Sequence, residues 1–513
     1  MNATPQPSRH DVDLLIVGGG INGAGIARDA AGRGLRVMLV EQDDLAGHTS
    51  SASTKLIHGG LRYLEYGEFR LVREALVERE TLWRMAPHII WPLRFVLPQG
   101  ASPRAAWLVR LGLFLYDHLG GRRELPGTDT IDLAHDPRGD GLRLDGKAFV
   151  YSDCWVEDSR LVVLNARDAA DRGAQILTRT RLLDARREHG GWRATIADAA
   201  GTRAVTARAL VNAAGPWVAH VLGRVAGARH EGGVRLVKGS HIVLPRLYEG
   251  DHAFMLQNDD RRIVFAIPYE GEFTLVGTTD EPWSEPPGPA RIGEAETAYL
   301  LDTVARYFVR KVGRDDIRWS YAGIRPLHDD KAANAAAVTR DYVLDLDVGA
   351  DGDEAPLLSV FGGKITTYRK LAEHALGELA PHVTGCGEAW TAGATLPGGD
   401  LPTTDSADYA VELGGRYPGL PSSLLRRLAR AYGTRAPALL GAARTPYDLG
   451  EDFGAGLHAR EIDWLMREEW ARTAEDVLYR RSKLGLHLPE GTEERIARYI
   501  ASSSPATARM AIE

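Results

Sequence analysis

Apolar residues follow two rhythms along this chain, and the change between them suggests how it divides. Leu14, Leu15, Ile16 and Val17 form an unbroken run suited to a strand buried on both faces. A glycine turn follows, then Ala24, Ala27 and Ala31 at helical spacing, a breaker at Gly32 and Gly34, and a second apolar run over 37–40 that ends on Glu41. Residues 69–85 repeat the helical pattern, with Leu71, Ala75, Leu76, Leu82 and Trp83 at its apolar positions. Residues 105–116, AAWLVRLGLFLY, are apolar nearly all round, with Arg110 inside and Arg104, Arg122 and Arg123 flanking. A buried helix and a helix dipping into a bilayer interface share this pattern, so both readings stay open. Short strands are expected at 173–177 and 195–196. An apolar strand then enters the turn Ala213-Ala214-Gly215-Pro216-Trp217, as suits backbone passing close to a bound cofactor.

Between 234 and 346 the rhythm becomes alternating. Strands are expected at 241–244, 253–257, 263–267, 273–276 and 318–322, suggesting an antiparallel, substrate-facing domain inserted into a nucleotide fold. The chain returns to an apolar strand at 357–361, the turn Gly362-Gly363-Lys364 and a helix over 366–379. Beyond the linker Gly398-Gly399-Asp400-Leu401-Pro402, helices are expected at 424–432, 461–470 and 475–484, the last opened by a capping-box pattern from Thr473 to Asp476. The expected division is a discontinuous nucleotide-binding domain (11–85, 145–230, 350–385), a substrate-binding and possible membrane-contact region (86–144, 231–349), and a helical cap (398–513).

Composition narrows this picture. At 513 residues the chain has room for two or three domains, and 44 % hydrophobic with 26 % charged residues is ordinary for a protein that folds in water. A net charge of −7 gives no global attraction to nucleic acid, and no nucleic-acid partner is expected, although a local basic face remains compatible. Cys154 and Cys386 have neither metal-ligand spacing nor a disulfide framework, so no metal is expected and a reducing cytoplasm fits. The first ten residues lack the apolar core of a secretory signal, and no run approaches the roughly 18 apolar residues of a membrane span.

The candidate chemistry lies in the glycine turns. Gly18, Gly20 and Gly23 fill G-x-G-x-x-G between strand and helix, where backbone approaches a pyrophosphate and helix N–H groups face it. Glu41 sits where an acid can accept hydrogen bonds from an adenosine ribose. The small-residue loop carrying Ser51, Ser53, Thr54 and Lys55, with His58 and Gly59 after it, can approach phosphates or a ring. Gly362, Gly363, Lys364, Ile365 and Thr366 combine a helix N-terminus with a cation, suited to developing negative charge. The first motif alone fits NAD as well as FAD.

Together with GGGINGAGIARDAAGRG, the stretches SSASTKLIHGGLRYLE, YSDCW, LVNAAGPWV, KGSHIVLP, RIVFAIP, GTTD, GIRPL, TRDY, LSVFGGKITTYRKLAEHAL and YDLGEDFG closely resemble the bacterial, membrane-associated, aerobic FAD-dependent glycerol-3-phosphate dehydrogenases. The resemblance spans nearly the whole chain, with Gly47-His48 in place of a Cys-Ala pair associated with bacterial relatives. It implies an α/β fold with a Rossmann-like FAD-binding domain of the D-amino-acid-oxidase type, an antiparallel-sheet substrate domain and a C-terminal helical domain. It further implies oxidation of sn-glycerol 3-phosphate to dihydroxyacetone phosphate by hydride transfer to flavin N5, with electrons passing to membrane quinone. The enzyme would be a cytoplasmic homodimer held peripherally on the lipid of the inner membrane.

By match to the family's motifs, Arg62, Arg325 and Arg340 are candidate phosphate clamps and Tyr63 a hydroxyl partner. His241 is the candidate general base, because imidazole titrates near working pH. Lys364 is expected to offset negative charge near flavin N1 and O2. A glycerol-3-phosphate oxidase using oxygen, another flavin amine or amino-acid oxidase, and a non-catalytic flavoprotein adaptor are the competing readings.

Overall fold

A computed structural model describes residues 10–100, 102, 104–121, 124–228, 233–329 and 341–503. They divide into two compact units: Met1–Ser50, Leu161–Leu236 and Arg325–Leu396 form the first, and Ser51–Arg160, Val237–Ile324 and Pro397–Glu513 the second.

The first unit is built on a sheet that has nine strands among the described residues. Its centre is parallel: Val12–Val17 lies between Val37–Val40 and Gly201–Asn212, with Leu15 opposite both Met38 and Leu210. Leu357–Phe361 extends that core, Leu357 pairing with Leu210. Val37–Val40 and residues 14–17 are unbroken apolar runs and Leu357–Phe361 is interrupted only by buried Ser359, as suits strands covered on both faces. The helices Ile21–Gly32 and Tyr368–Leu379 pack at glycines: a Cβ on Gly25 would come within 2.7 Å of the Tyr368 ring. Arg28, buried under the first helix, pairs with Asp168 at 2.6 Å and reaches the carbonyls of Ala394 and Thr395. Antiparallel strands Arg181–Glu188, Gly191–Asp198 and Val343–Asp347 extend the sheet, and the short parallel strands Gln175–Leu177 and Val225–Ala226 complete its nine.

The second unit centres on a sheet with ten strands among the described residues. The alternation after residue 234 forms the expected antiparallel ladder, Gly233–Pro245 against Phe273–Gly277 and Ala253–Gln257 against Ile263–Tyr269. Two further strands, Ile90–Pro98 and Lys147–Val156, were not expected, and they pair antiparallel from Ile90–Val156 to Pro98–Ala148. Pro92 fits because the neighbour on the other side pairs only at Phe95 and Val96. This pairing draws residues 51–85 and 145–160 into the second unit, away from the nucleotide-binding residues with which they had been grouped.

Helices Phe69–Met85 and Ala106–Leu119 belong to this unit; the latter presents Val109, Leu113 and Tyr116 inward and Trp107, Leu108, Leu111 and Phe114 outward. The segment from Pro397 has its own apolar cluster, including Leu425, Leu428, Ile462 and Leu465, on helices Ser422–Tyr432 and Ala459–Glu468. Arg160 ties it down through a buried pair with Glu469 and a 2.8 Å bond to the Ala431 carbonyl. The helix expected over 475–484 is instead a wide turn, Asp476–Arg481, closed by Ser482 N–H to Val477 O at 3.0 Å. Its capping box is present: Asp476 N–H donates to Thr473 Oγ1 and Thr473 N–H to Asp476 Oδ2.

Candidate active site

In the first unit the glycine turn leaves no room for side chains. A Cβ on Gly23 would lie 1.9 Å from the Gly18 carbonyl, and one on Gly18, itself at φ +115°, 2.4 Å from the Ala213 carbonyl. Gly20 caps the helix, with Ser50 Oγ accepting the Ile21 N–H at 3.0 Å. Glu41 ends the second strand and is buried; its carboxylate accepts N–H from Gly19 at 2.6 Å and Asp43 at 2.8 Å. Burial pushes its carboxyl upward, and the Asp43 and Gly19 amides oppose that shift. Asp43 in turn holds His48 at 2.8 Å, so the Glu41–Asp43–His48 group carries its own hydrogen bonds. Gly215 opens the next turn at φ +54°. A tight bare backbone turn, a capping helix N-terminus and an acid past the second strand fit a dinucleotide such as FAD.

The second glycine turn closes on the first. Asn22 Nδ2 donates to the Gly362 carbonyl at 3.1 Å, and a Cβ on Gly363 would meet the Asn22 amide at 2.7 Å. Asn22, in an unspecified position of the glycine motif, carries no sequence signal of its own. The helix begins at Tyr368, two residues later than expected, because left-handed Gly362 and Gly363 and a turn from Lys364 O to Thr367 N–H come first. Lys364, Ile365 and buried Thr366 therefore sit on the approach to the helix rather than in its first turn. Arg325 lies half-buried on the strand Trp319–Asp329. Arg340 lies outside the described residues.

The remaining candidates belong to the second unit. His241 is buried on Gly233–Pro245, its Nε2 3.0 Å from Thr54 Oγ1 and its ring stacked on Tyr321 at 4.8 Å. Opposite it, a Cβ on Gly277 would fall 2.1 Å from the imidazole, so glycine is required for the ring to fit. Tyr321 Oη donates to the Ser53 carbonyl at 2.9 Å, and neighbouring Ser240 Oγ donates to Glu296 at 2.7 Å. The structure thus gathers Ser53, Thr54 and His241 into one patch. Lys55 turns inward: its fully buried ammonium pairs with Asp158 at 2.7 Å and donates to the Ser51 carbonyl at 3.1 Å. Its side chain is spent on holding the loop, a role that sequence alone did not distinguish from phosphate contact.

Further along, His58 Nδ1 accepts the Gly60 N–H at 3.1 Å, and the buried Gly59 amide is bonded by Tyr116. Tyr63 packs over Gly60 in the short helix Leu61–Tyr66. Arg62 is half-buried, and its Nε, shielded from solvent, has no hydrogen-bond partner among the described residues.

The family described as FAD dependent oxidoreductase matches residues 13–367. This chain belongs to that family. The oxidoreductase also matches the C-terminal domain of alpha-glycerophosphate oxidase over residues 389–503. It is 53 % identical over 482 residues to the D-erythritol 1-phosphate dehydrogenase of Brucella abortus, covering 93 % of this chain and 95 % of the relative. It is also 53 % identical over 503 residues to the glycerol-3-phosphate dehydrogenase of Pseudomonas aeruginosa, covering 96 % of each. The crystal structure of the glycerol-3-phosphate dehydrogenase of Bacillus halodurans complexed with FAD matches it with a TM-score of 0.74 at 25 % identity, over 99 % of this chain and 96 % of that one. The fold is the expected flavoprotein fold and the cofactor is FAD.

Proposed function

We propose that this oxidoreductase oxidises sn-glycerol 3-phosphate to dihydroxyacetone phosphate and passes the electrons to membrane quinone. The observation that carries this reading is Arg62, whose guanidinium holds a shielded Nε without a partner among the described residues. A shielded guanidinium N–H left without an acceptor is costly, and a phosphate oxygen would complete it, since phosphate matches the guanidinium fork. The relatives named for phosphorylated polyols support the same choice.

Bound FAD supplies the hydride acceptor. The protein's own groups do the rest. Arg62, Arg325 and Arg340 are assigned to the phosphate as a remote anchor, which orients the secondary alcohol so that its carbon-bound hydrogen can leave as hydride. His241 receives the hydroxyl proton, and the Thr54 hydroxyl, able to donate or accept, sets its tautomer while Tyr321 fixes its plane. Lys364 supplies positive charge beside the cofactor.

The outward face of Ala106–Leu119 is proposed to dock on lipid. Trp107, Leu108, Leu111 and Phe114 are exposed together, with Arg110 exposed on the same helix and Arg70 and Arg73 exposed on Phe69–Met85. No helix among the described residues is long and apolar enough to cross a membrane.

Identity to the D-erythritol 1-phosphate dehydrogenase equals that to the glycerol-3-phosphate enzyme, which favours a longer polyol phosphate as the second reading. Anaerobic titration of the FAD-loaded protein tests both. Stoichiometric bleaching of the flavin bands by sn-glycerol 3-phosphate supports the first reading, and bleaching by D-erythritol 1-phosphate alone supports the second. No bleaching by either refutes the function. Stoichiometric peroxide without quinone would instead make oxygen the acceptor.

A further inference from the structure

The helix Ala106–Leu119 sends one hydroxyl inward, from Tyr116, and that hydroxyl lands on the stretch leading to Arg62. Tyr116 Oη accepts the Gly59 N–H at 2.7 Å while donating to Asp153, 2.7 Å from Oδ1 and 3.0 Å from Oδ2. A tyrosine hydroxyl can do both at once, having one proton and free lone pairs. Asp153 is held from the other side by Arg79, whose Nη1 lies 2.8 Å from Oδ1 and 2.7 Å from the Ser152 carbonyl. All three side chains are buried, and burial together with the Asp153 charge keeps the phenol protonated as a donor.

The chain beyond this anchor is compliant. Gly59 fits only as glycine, because a Cβ would meet Leu76 at 2.5 Å and Tyr116 Oη at 2.8 Å. Gly60 turns left-handed at φ +73°, and Leu61–Tyr66 starts immediately after it. Two adjacent glycines offer little backbone resistance of their own. The Gly59 amide, bonded to Tyr116 and at 3.4 Å to Asp153 Oδ1, therefore ties the stretch before Arg62 to the buried network, while the Gly60 amide beyond it is bonded locally to His58 Nδ1.

We infer that Tyr116 is a positioning residue that sets Arg62 for the substrate phosphate through the Gly59 amide. The inference rests on the proposed role of Arg62. It assigns to the inner face of the helix a task separate from its apolar outer face. Losing the anchor leaves the proton-accepting and hydride-accepting groups intact while loosening the grip on the anion.

Y116F in the full-length, FAD-loaded protein tests this. The expected result is unchanged FAD content, a KM for sn-glycerol 3-phosphate raised about tenfold, kcat within about twofold, and inhibition by inorganic phosphate weakened in parallel. Y151F is the control: it deletes another buried hydroxyl in the same core, one that contacts Met255 Sδ, and KM should not move. Equal KM changes in the two variants, or none in Y116F, overturn the inference. Should Y116F fail to fold, amide exchange in the wild-type protein decides, because rapid exchange at Gly59 in the folded state contradicts an anchored amide. R62A separates the two levels. An R62A protein with wild-type KM removes the phosphate reading itself, whereas a raised KM in R62A beside a normal one in Y116F removes only the role of Tyr116.

Discussion

Replacing Trp107 and Leu111 together by glutamate should detach the protein from lipid without unfolding it. Trp107 is 70 % exposed, Leu108 and Leu111 48 % each and Phe114 50 %, so this face retains much of its apolar surface for a second burial. Complete burial of one such side chain is worth about 1.5–3 kcal/mol. Scaled by exposure, Trp107 and Leu111 together contribute about 3 kcal/mol, and losing it lowers partitioning by more than about a hundredfold. Two carboxylates against an anionic surface only deepen the loss. Val109, Leu113 and Tyr116 hold the opposite face and remain untouched, and glutamate is a good helix former, so the fold should survive. Flotation with phosphatidylglycerol-containing vesicles measures the binding, and activity with a water-soluble dye acceptor checks that the fold is intact. Undiminished flotation of an active double variant would refute the lipid-facing role of this helix.

Three other perturbations have definite expected outcomes. K55M and D158N should each destabilise the protein by about 3–5 kcal/mol by breaking a buried ion pair, whereas K55M/D158N should cost much less than their sum in denaturant unfolding; additive losses would show that the pair is not coupled. H241Q should slow anaerobic reduction of bound flavin by at least about a hundredfold at unchanged FAD content, and wild-type kinetics would remove His241 as the base. His88 is buried near Arg160, and burial first, then that charge, pushes its imidazole down to about 3 from 6.5. The unfolded chain then holds the extra proton, so this group costs stability as pH falls below 6.5, by up to about 1.4 kcal/mol per pH unit, and H88Q should flatten that part of the stability–pH curve.

The nucleotide turn was legible because its signals are consecutive: strand, glycines, helix and acid follow within 13–41, and each constrains its immediate neighbours. The helix over 69–85 and the strands at 37–40, 253–257 and 357–361 were legible for the same local reason. The strand Ile90–Pro98 was hidden by prolines whose cost depends on which neighbour is present, a fact held by residues 147–156 and 253–254. A capping box announced the segment after Thr473, but carbonyl-seeking side chains such as Arg481, bonded to Glu469 O at 3.0 Å, accompany a wide turn in place of a regular helix. Lys55 beside hydroxyl residues resembles a phosphate contact until Asp158, far along the chain, is seen beneath it. Sequence patterns expose residue type and spacing; partners distant in sequence decide which way a side chain turns.

The Asn22–Gly362 bond has a consequence for biosynthesis. The first glycine turn leaves the ribosome early, but the turn that bonds to it is attached to Leu357–Phe361, which is synthesised more than two-thirds of the way through the chain. On the proposed placement of Gly362–Thr366 beside the cofactor, a nascent polypeptide halted before that strand would carry only one wall of the nucleotide pocket. Cofactor loading would then wait until most of the protein has been made, with the early segments unliganded until their late-arriving counterpart.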